Sequence, residues 1–340
     1  MNILVTGGAG YVGYSVTRAL ARRYPQSGII IFDNFVKGRL ENIALIRKYP
    51  NVSIIPWDKA DIRDTHNVEA ALKEYRPEIV VHLAAIVDAF TTNREGKDIE
   101  TNIVNNTAAV HLAELSKQHG VKTFIYQSTV SMYSRGEGLK EDAPKEPLST
   151  YGVAKYEAEK SILKLDDEGF NVCALRSATM VGYNPSFRYE TIINMLCIRS
   201  VYGMKTMLFE SALKNPKSYL AIEDEAAVIL FSIENISRMK GEAFNVVSFN
   251  ADLNAVLAAI KETGVTPLVS IAAEHAINQQ VYTVNADKIR GLGFTPTGTV
   301  RDVVHNMIES LRYREYSTEG IVNKLKRKIA NAFGLSSQNR

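Results

Sequence analysis

Two residues that can move a proton stand close together in Tyr151-Gly152-Val153-Ala154-Lys155. On a helix, residues at this spacing share one face, so the phenol and the ammonium come within reach of one another. Tyrosine has an ordinary pKa of about 10 and is a poor base at neutral pH, but a neighbouring cation favours its phenolate form. Ser128-Thr129 ends an apolar run, where the Thr129 hydroxyl can bind the oxygen that Tyr151 deprotonates. We interpret Thr129, Tyr151 and Lys155 as a set that removes a proton from a hydroxyl group.

A glycine-rich segment follows the first apolar run and reads Thr6-Gly7-Gly8-Ala9-Gly10-Tyr11-Val12-Gly13. At a strand-to-helix junction, glycines permit a tight turn and let the backbone approach a pyrophosphate. The N-terminus of the following helix adds free N–H groups and the positive end of its dipole. The segment therefore predicts a dinucleotide site with contacts from Gly7, Gly10, Tyr11, Val12 and Gly13.

The second apolar run ends at Asp33-Asn34, where Asp33 lies twenty residues beyond Gly13. A carboxylate at this place can accept hydrogen bonds from the ribose hydroxyls of the cofactor. It would repel a 2′-phosphate, and Asn34 is not the arginine that would bind one. We therefore predict NAD rather than NADP, with Asp33 and Asn34 among its contacts.

Asp61-Ile62 follows the third apolar run. Asp61 could hold the amino group of adenine while Ile62 packs on the ring. It could equally serve as the N-cap of a helix that starts near Asp64. The local sequence leaves both interpretations open.

The first half of the chain alternates short β-branched runs with longer amphipathic segments. Strands that are apolar along their whole length are buried on both faces, which is typical of a parallel sheet covered by helices on both sides. We predict an α/β fold with a Rossmann-type doubly wound parallel sheet over residues 1–180. Turn signals break the later sequence into shorter elements, so residues 181–316 are predicted to form a smaller C-terminal substrate-binding lobe.

The composition is that of a soluble globular protein, because 46% of the 340 residues are hydrophobic and 23% are charged. The net charge of +3 is too small for a nucleic-acid-binding surface, and the residues from Ser317 onward include five basic side chains against one acidic side chain. In this tail, residues 317–340, the apolar side chains Ile321, Leu325, Ile329 and Phe333 recur every four positions. We expect a basic amphipathic helix that closes the lobe or contacts a dimer partner, or that binds an anionic membrane surface.

The two cysteines, Cys173 and Cys197, show no CxxC spacing, so we expect reduced thiols in the core. The six histidines show no metal-ligand spacing, and no metal site is predicted. The first residues do not form a secretory signal, and no apolar stretch is long enough to span a membrane. We expect a cytoplasmic protein.

These features together resemble the extended short-chain dehydrogenase/reductases, in the NAD-dependent nucleotide-sugar epimerase/dehydratase group. The resemblance covers roughly residues 1 to 315. Besides the segments above, it rests on His82-Leu83-Ala84-Ala85, Asn102, Gln127-Ser128-Thr129-Val130-Ser131-Met132-Tyr133, Leu175-Arg176, Ile222-Glu223-Asp224 and Leu292-Gly293-Phe294-Thr295-Pro296.

The resemblance implies roles for several of these residues. Ala84 and Ala85 would line the cofactor and Asn102 would support it near the active site. Tyr151 would be the catalytic base, and Lys155 would also hold the nicotinamide ribose. The family often forms homodimers through helices that correspond to residues 102–119 and 151–165, so a homodimer is expected here.

The resemblance also implies the reaction: a sugar hydroxyl of a nucleotide-diphosphate sugar is oxidised to a transient ketone. Dehydratases of the group carry Asp-Glu directly after the catalytic threonine, whereas this chain has Val130 and Ser131. Decarboxylases keep a glutamate nearby, and the first one here is Glu137. An epimerase, acting at C4, is therefore predicted. A dehydrogenase or ketoreductase using the same residues remains the alternative, followed by a dehydratase and a non-catalytic NAD-binding module.

The substrate half departs from the family pattern. Ser177-Ala178-Thr179 stands where the family often has an asparagine, and Lys217 replaces an arginine that grips the substrate diphosphate. Arg188 is a second candidate for the diphosphate. Val87-Asp88 could face the sugar, so Val87, Thr129, Thr179, Arg188 and Lys217 are the predicted substrate contacts.

Overall fold

The computed structural model describes residues 1–38, 40–87, 97–272 and 281–317. Its strands are β1 (Asn2–Thr6), β2 (Gly28–Phe32), β3 (Val52–Ile54), β4 (Ile79–His82), β5 (Thr123–Thr129), β6 (Arg135–Leu139), β7 (Asn171–Ser177), β8 (Thr179–Val181), β9 (Thr206–Phe209), β10 (Lys217–Ala221), β11 (Glu242–Val246), β12 (Phe249–Ala251), β13 (Val269–Ala272) and β14 (Val281–Val284). Its α-helices are α1 (Tyr11–Arg23), α2 (Leu40–Ile46), α3 (Thr65–Tyr75), α4 (Lys97–Asn102), α5 (Ala109–Gln118), α6 (Thr150–Leu163), α7 (Ile192–Val201), α8 (Glu210–Lys214), α9 (Ile222–Glu234), α10 (Ile236–Met239), α11 (Leu253–Glu262), α12 (Asp287–Gly291) and α13 (Val300–Ser317).

Seven strands form the central sheet, in the order β11-β7-β5-β4-β1-β2-β3, and all of its neighbouring pairs are parallel. The apolar runs that predicted these strands are buried, as in Ile29, Ile30 and Ile31. The predicted doubly wound α/β fold is confirmed. The strand order reverses between β1 and β4, which opens a crevice at the carboxyl ends of the strands.

Helices cover both faces of this sheet. Val16 of α1 and Val228 of α9 belong to the apolar cluster on one face. Leu72 of α3, Leu112 of α5 and Ile162 of α6 belong to the cluster on the other. The carboxyl edge of the sheet is consequently the open side of this α/β unit, where its loops converge.

A third apolar cluster joins residues from Val181 to Leu311 around α7, α11 and α13. It includes a three-stranded sheet of order β12-β10-β8, and β9 pairs in parallel with β13 nearby. The chain does not stay in this lobe, because β11 returns as an edge strand of the large sheet beside β7. This strand was not predicted, since Asn245 interrupts its apolar run while being fully buried.

The helix expected over residues 102–119 is not a single regular α-helix. Between α4 and α5 lies a π-helical segment, Ile103–Ala108. Asn105 of this segment is buried, and its amide both donates to the Ile86 carbonyl and accepts from the Ile86 N–H, each at 2.8 Å. Such π-helical bulges are frequent at functional sites.

Cys173 and Cys197 are free and buried, as predicted. Within the described ranges, no helix combines the length and apolar character needed to cross a membrane. Asp88 and the basic tail from residue 318 onward lie outside the described residues, and the predictions for them stay predictions.

Candidate active site

Two members of the predicted proton-transfer set, Thr129 and Tyr151, meet at the carboxyl edge of β5. Helix α6 begins with Ser149 as its N-cap, whose hydroxyl accepts from the Gly152 N–H at 3.1 Å. This places Tyr151 in the first turn, where its phenol hydrogen-bonds the side chain of Thr129, the last residue of β5. The two side chains thus present their oxygens to one place at the mouth of the crevice.

Gly152 permits this close approach. A Cβ at this position would stand 2.6 Å from the Ser131 carbonyl oxygen and 3.0 Å from Pro147 Cβ. Any larger residue would push α6 away from the short 3-10 helix Val130–Met132, and the phenol of Tyr151 would move with it.

Burial raises the pKa of Tyr151, while the hydrogen bond from Thr129 and the charge of Arg188 lower it. Lys155 was expected to lower this pKa as well. Burial instead lowers the pKa of Lys155 itself to about 7, with the charge of Glu159 opposing the shift. An ammonium that loses its proton near neutral pH is uncharged when the free phenol would ionise, so in the cofactor-free protein it gives Tyr151 little help.

The glycine segment forms a cradle at the start of α1. Gly7 has φ 68°, and a Cβ there would stand 2.9 Å from the backbone of Ala84. A Cβ on Gly13 would stand 2.0 Å from the Gly7 carbonyl oxygen, so only glycine lets α1 pack this close. The first turn of α1 holds no acidic residue and Gly10 gives no side-chain cap, which leaves the N–H groups of Tyr11, Val12 and Gly13 for an anionic ligand.

Asp33 ends the second strand run beside this cradle and is only 7% exposed. One carboxylate oxygen accepts from the Ala9 N–H at 2.9 Å and the other from the Phe35 N–H at 2.8 Å. Burial raises the pKa of Asp33, and these backbone hydrogen bonds oppose the rise. Each oxygen keeps acceptor capacity for a ribose hydroxyl.

Asn34 and Asp61 are brought together, since the Asn34 amide donates to Asp61 Oδ2 at 3.0 Å. Arg63 adds its backbone N–H, Nε and Nη2, and holds the pKa of Asp61 down at about 2. Asp61 thus accepts two hydrogen bonds at each oxygen, which fills the acceptor sites of a carboxylate. An adenine amino group could bind it only by displacing one of these donors.

The N-cap alternative for Asp61 is wrong, because Asp64 caps α3 by accepting from the Asn67 N–H. Ile62 is buried in the core rather than open to a ligand.

The segment after β4 closes the cradle from the other side. The Thr6 hydroxyl accepts from the N–H groups of Leu83 and Ala84, each at 3.2 Å, and bonds His82 Nδ1 at 2.7 Å. Ala84 and Ala85 are half-buried beyond these anchors. The backbone of Ala84 is therefore fixed beside Gly7.

Asn102 is not placed in this site. It ends α4 with an exposed side chain, and its oxygen accepts from the Asn106 amide at 3.4 Å. The asparagine that holds the segment after β4 is Asn105, one turn further on, where the π-helical segment shifts the register. The sequence offered three asparagines here, and only burial distinguishes them.

Arg188 and Val87 lie together on the substrate side. Arg188 Nη2 donates to the Val87 carbonyl at 3.3 Å, and its charge lowers the pKa of both Tyr151 and Tyr11. The side chain of Tyr11 does not line the cradle, because its hydroxyl donates to the Gly182 carbonyl at 2.8 Å. Tyr11 thus ties the cradle to the second lobe, and only its backbone N–H remains for a cofactor.

Thr179 and Lys217 share one face of the small sheet, because Thr179 pairs with Tyr219 and Lys217 lies two residues before it. Thr179 is exposed and Lys217 is half-buried. Burial lowers the pKa of Lys217. The structure places this pair on strands that extend from the second lobe.

Directly after Thr129, Val130 is buried and Ser131 donates its N–H to the Thr129 hydroxyl at 3.1 Å. The Ser131 side chain also hydrogen-bonds Tyr282, which sequence reasoning did not single out. Glu159 and Arg176, which lie behind Lys155, were missed as a pair as well. Their signal was in the sequence, since Glu159 continues the spacing of Tyr151 and Lys155 along α6.

The donor set fits an adenine dinucleotide. The cradle would be filled by any Cβ, it offers helix N-terminal N–H groups to a pyrophosphate, and Asp33 stands where ribose hydroxyls would bind. Among the described residues, no group of three or more His, Cys, Asp or Glu side chains could hold a metal ion.

A family model described as the NAD dependent epimerase/dehydratase family matches residues 3–247. A putative UDP-arabinose 4-epimerase of Arabidopsis thaliana is 32% identical over 192 residues, or 55% of this chain and 45% of that relative. The chain thus spans less than half the length of the arabinose epimerase that it matches. A dTDP-glucose 4,6-dehydratase of Neisseria meningitidis serogroup B is 25% identical over 334 residues, covering 90% of this chain and 92% of that protein.

The fold also resembles solved structures. A UDP-glucose 4-epimerase of Thermotoga maritima, crystallised with UDP-glucose, aligns with a TM-score of 0.79 and 25% identity. The alignment covers 92% of this chain and 99% of that one. The likeness therefore extends over both the large sheet and the second lobe.

Proposed function

Because the chain belongs to the NAD-dependent epimerase/dehydratase family, we propose that it is a nucleotide-sugar epimerase that inverts a hydroxyl-bearing carbon, C4 of the sugar. The observation that carries this proposal is the hydrogen-bonded pair of Thr129 and Tyr151 with no carboxylate directly after it. The sugar-4-epimerases and the dehydratase among the relatives make these the reactions to distinguish.

The cofactor is NAD, and its residues can be assigned by position. We assign the pyrophosphate to the N–H groups around Gly10 to Gly13 and the adenosine ribose to Asp33. Lys155 and the segment at Ala84 and Ala85 serve the nicotinamide end. When bound, NAD supplies the reversible oxidising power that turns a sugar hydroxyl into a ketone and back.

The chain's own groups handle the proton. Tyr151 Oη takes the proton from the sugar hydroxyl and gives it back when the ketone is reduced, while the Thr129 hydroxyl binds the same oxygen and fixes its direction. Arg188 favours the phenolate that this step requires. Lys155 adds to this effect when it is protonated. Tyr151 and Thr129 therefore meet at one sugar oxygen, while the two cations act on the phenol.

Elimination would need more than this set. Loss of water from a neighbouring carbon requires an acid and a base beside the ketone, and Val130 and Ser131 supply neither. Epimerisation needs only a pocket in which the ketone rotates, so that the hydride returns to its opposite face. The bare constellation thus supports the epimerase over the dehydratase.

The substrate proposal is a sugar joined to a nucleoside diphosphate. Arg188 lies near Tyr151 and can bind phosphate oxygens with its planar guanidinium. Lys217 and Thr179 share a face that can extend this contact, with Lys217 acting as a point charge. Val87, whose carbonyl Arg188 holds, faces the sugar in this arrangement.

The test combines cofactor release with turnover. Mass spectrometry of the denatured protein should find NAD in near-stoichiometric amount, because an epimerase recycles its cofactor in place. UDP-, GDP-, CDP- and dTDP-sugars are then offered to the wild type and to Tyr151→Phe, with NADH absorbance and the sugar products followed. Conversion of one sugar into its C4 epimer, absent in Tyr151→Phe, supports the proposal.

Other outcomes decide between the alternatives. Net accumulation of NADH, or dependence on added NADH, would show a dehydrogenase or ketoreductase. Release of water to give a deoxy-keto sugar would show a dehydratase. Bound NAD with no sugar bound or converted would show a non-catalytic NAD-binding module.

We also propose a homodimer through α4, the π-helical segment and α6. Apolar side chains lie exposed on these packed elements, with Ile99 67%, Ile103 41% and Val153 44% exposed. Exposed apolar side chains on adjoining helices are typical of a surface that a partner chain covers. Light scattering should give twice the mass of the chain, and Val153→Glu should reduce it; a wild-type monomer at micromolar concentration would refute the dimer.

A further inference from the structure

Lys155 is an ammonium taken out of water. It is 2% exposed, and its Nζ lies 4.1 Å from the centre of the Tyr126 ring. The ring face offers a weak cation–π attraction, which does not replace the lost hydration of a charge. Something else in the core must favour the charged form if this lysine is to act as a cation.

Glu159 is the negative charge one turn further along the same face of α6. It is 1% exposed and is held by three groups from the sheet. Arg176 Nη2 donates to its Oε1 at 2.7 Å, Arg176 Nε bonds both oxygens at 3.1 Å, and the Ser128 hydroxyl donates to Oε2 at 2.6 Å. These bonds stabilise the charged carboxylate and fix its position.

The ladder of Tyr151, Lys155 and Glu159 therefore carries a phenol, a cation and an anion on one helix face. We propose that Glu159 is a positioning residue for the reaction: its fixed charge keeps Lys155 protonated beneath Tyr151 near neutral pH. This inference rests on the proposed roles of Tyr151 and Lys155. In this proposal, the buried ion pair of Arg176 and Glu159 acts on the reaction as well as joining α6 to β7.

The other titratable groups that face Lys155 are uncharged and do not favour its charged form. His82 of β4 and Tyr126 of β5 face it, and burial and the charge of Lys155 lower the pKa of His82, so the imidazole stays neutral. Burial and the Glu159 charge raise the pKa of Tyr126, which keeps that phenol neutral as well. Glu159 is the acidic group whose charge raises the pKa of Lys155.

Two cations lie around Glu159. Arg176 of β7 binds it directly, and Lys145, which lies before α6, feels its charge. Glu141 touches the far side of the cluster, where its carbonyl accepts from Arg176 Nη1 at 2.8 Å. Loss of the Glu159 charge would thus leave Lys155 near an uncompensated Arg176, and its pKa would fall further below about 7.

The test follows Lys155 itself rather than turnover alone. In protein labelled with ¹³C at lysine Cε, the Lys155 signal is assigned by its absence from Lys155→Met, and its titration midpoint is read by NMR. We expect Glu159→Gln to lower this midpoint by about one pH unit or more. The pH at which turnover is fastest should move down with it.

The matched control is Glu157→Gln on the same helix, because Glu157 is 46% exposed and pairs with Lys160. It should leave the Lys155 midpoint unchanged, and Glu159→Asp should restore most of the wild-type value. If Glu159→Gln fails to fold, the double variant Glu159→Gln with Arg176→Met removes both buried charges and avoids an unpaired one. It should also show a downward shift, but a smaller one, because the positive charge of Arg176 is removed together with the negative charge of Glu159.

A midpoint that stays within about 0.3 unit of wild type in a folded Glu159 variant would overturn the inference, since so small a change is worth less than about 0.5 kcal/mol. A shifted midpoint with an unchanged pH–rate profile would support the effect of Glu159 on Lys155 and count against the proposed function of Lys155. The two failures are therefore distinguishable.

Discussion

The carboxyl edge of the large sheet and the adjoining face of the second lobe supply the site in different ways. At the sheet edge, Asp33, Thr129 and Lys155 are all less than 8% exposed and are held by strand ends, caps and buried partners. On the lobe, Thr179 is exposed, and Arg188 Nη2 donates to the Val87 carbonyl of the sheet half at 3.3 Å. The side chains assigned to the cofactor and to proton transfer are thus fixed before any ligand binds. The side chains assigned to the substrate are less constrained and can adjust.

This contrast indicates where variation is tolerated. A buried, fully bonded group leaves its partners unsatisfied when it changes, which costs free energy regardless of the substrate. A partly exposed cation on a loop can be exchanged at little cost to stability. The lobe is therefore the region in which substrate choice can change while the fold and cofactor site remain.

The largest expected effect falls on the sheet edge. Tyr151→Phe removes the proton acceptor and should lower turnover by about 10²- to 10⁴-fold, the usual worth of general acid–base catalysis. NAD content should be unchanged, because the ring still packs at the start of α6. Stopped assays with mass spectrometry of the sugar would measure this, and retention of more than about a tenth of the activity would contradict the role given to Tyr151.

A second prediction concerns stability beneath the sheet edge. Glu225 is buried with Ser177 donating to it at 2.7 Å, and burial raises its pKa to about 7. The folded protein therefore binds this proton more tightly than the unfolded chain does. The free energy of unfolding should fall as pH rises from about 4.3 to about 7, by roughly 4 kcal/mol at most, and level off above that.

Urea unfolding at pH 5 and pH 8 would measure this term. Glu225→Gln should lose that part of the pH dependence, whereas Glu157→Gln, on an exposed face, should keep it. Equal pH dependence in Glu225→Gln and the wild type would show that Glu225 does not titrate in this range. Burial of Glu225 would then destabilise the folded protein at high pH less than its raised pKa implies.

A third prediction probes the lobe. Arg188→Ala should weaken nucleotide-sugar binding by about 10- to 150-fold, the usual worth of hydrogen bonds to a charged group, while NAD binding stays as in wild type. Lys214→Ala is the matched control, since Lys214 is 73% exposed on α8. Calorimetric titration would separate the two ligands. Equal losses of affinity for the nucleotide sugar and for NAD would mean that Arg188 also supports the cofactor site at the sheet edge.

The smallest expected effect is at the adenosine end of the cradle. Asn34→Ala removes one of four bonds to Asp61, while Arg63 keeps the other three. NAD affinity should fall by no more than about fivefold. The single tryptophan, Trp57, allows the titration to be followed by fluorescence. A larger loss would show that Asn34 contacts the cofactor directly, as the sequence first suggested.

Much of the fold could be predicted from the chain because the relevant signals are local. The runs at β1, β2, β4 and β5 are apolar on both faces, and glycine spacing marks the turn into α1. The edge strand β11 could not be predicted this way, because its buried Asn245 is satisfied by Tyr133 and by carbonyls far away in the chain. Such partners exist only after folding.

The candidate site shows the same division. Thr129, Tyr151 and Lys155 were predicted by type and spacing, and the structure brings Thr129 and Tyr151 into contact. Asn102 is exposed and Asn105 turns inward, since the π-helical segment shifts which residue faces the segment after β4, and the role given to Asn102 stays a prediction. Asp61 was recognised as important, but its saturation by Arg63 and Asn34 depends on a loop conformation that local sequence does not specify.

The secondary elements, the cradle and the identity of the proton-transfer groups follow from the amino-acid sequence, because periodicity, glycine placement and side-chain chemistry are properties of the chain. Which of these groups carry charge depends on packing in three dimensions. Burial of Lys155 lowers its pKa, and Glu159, fixed by Arg176 of β7, opposes that fall. Desolvation and distant charges arise only when the elements pack together, so no spacing rule along the chain could have supplied them.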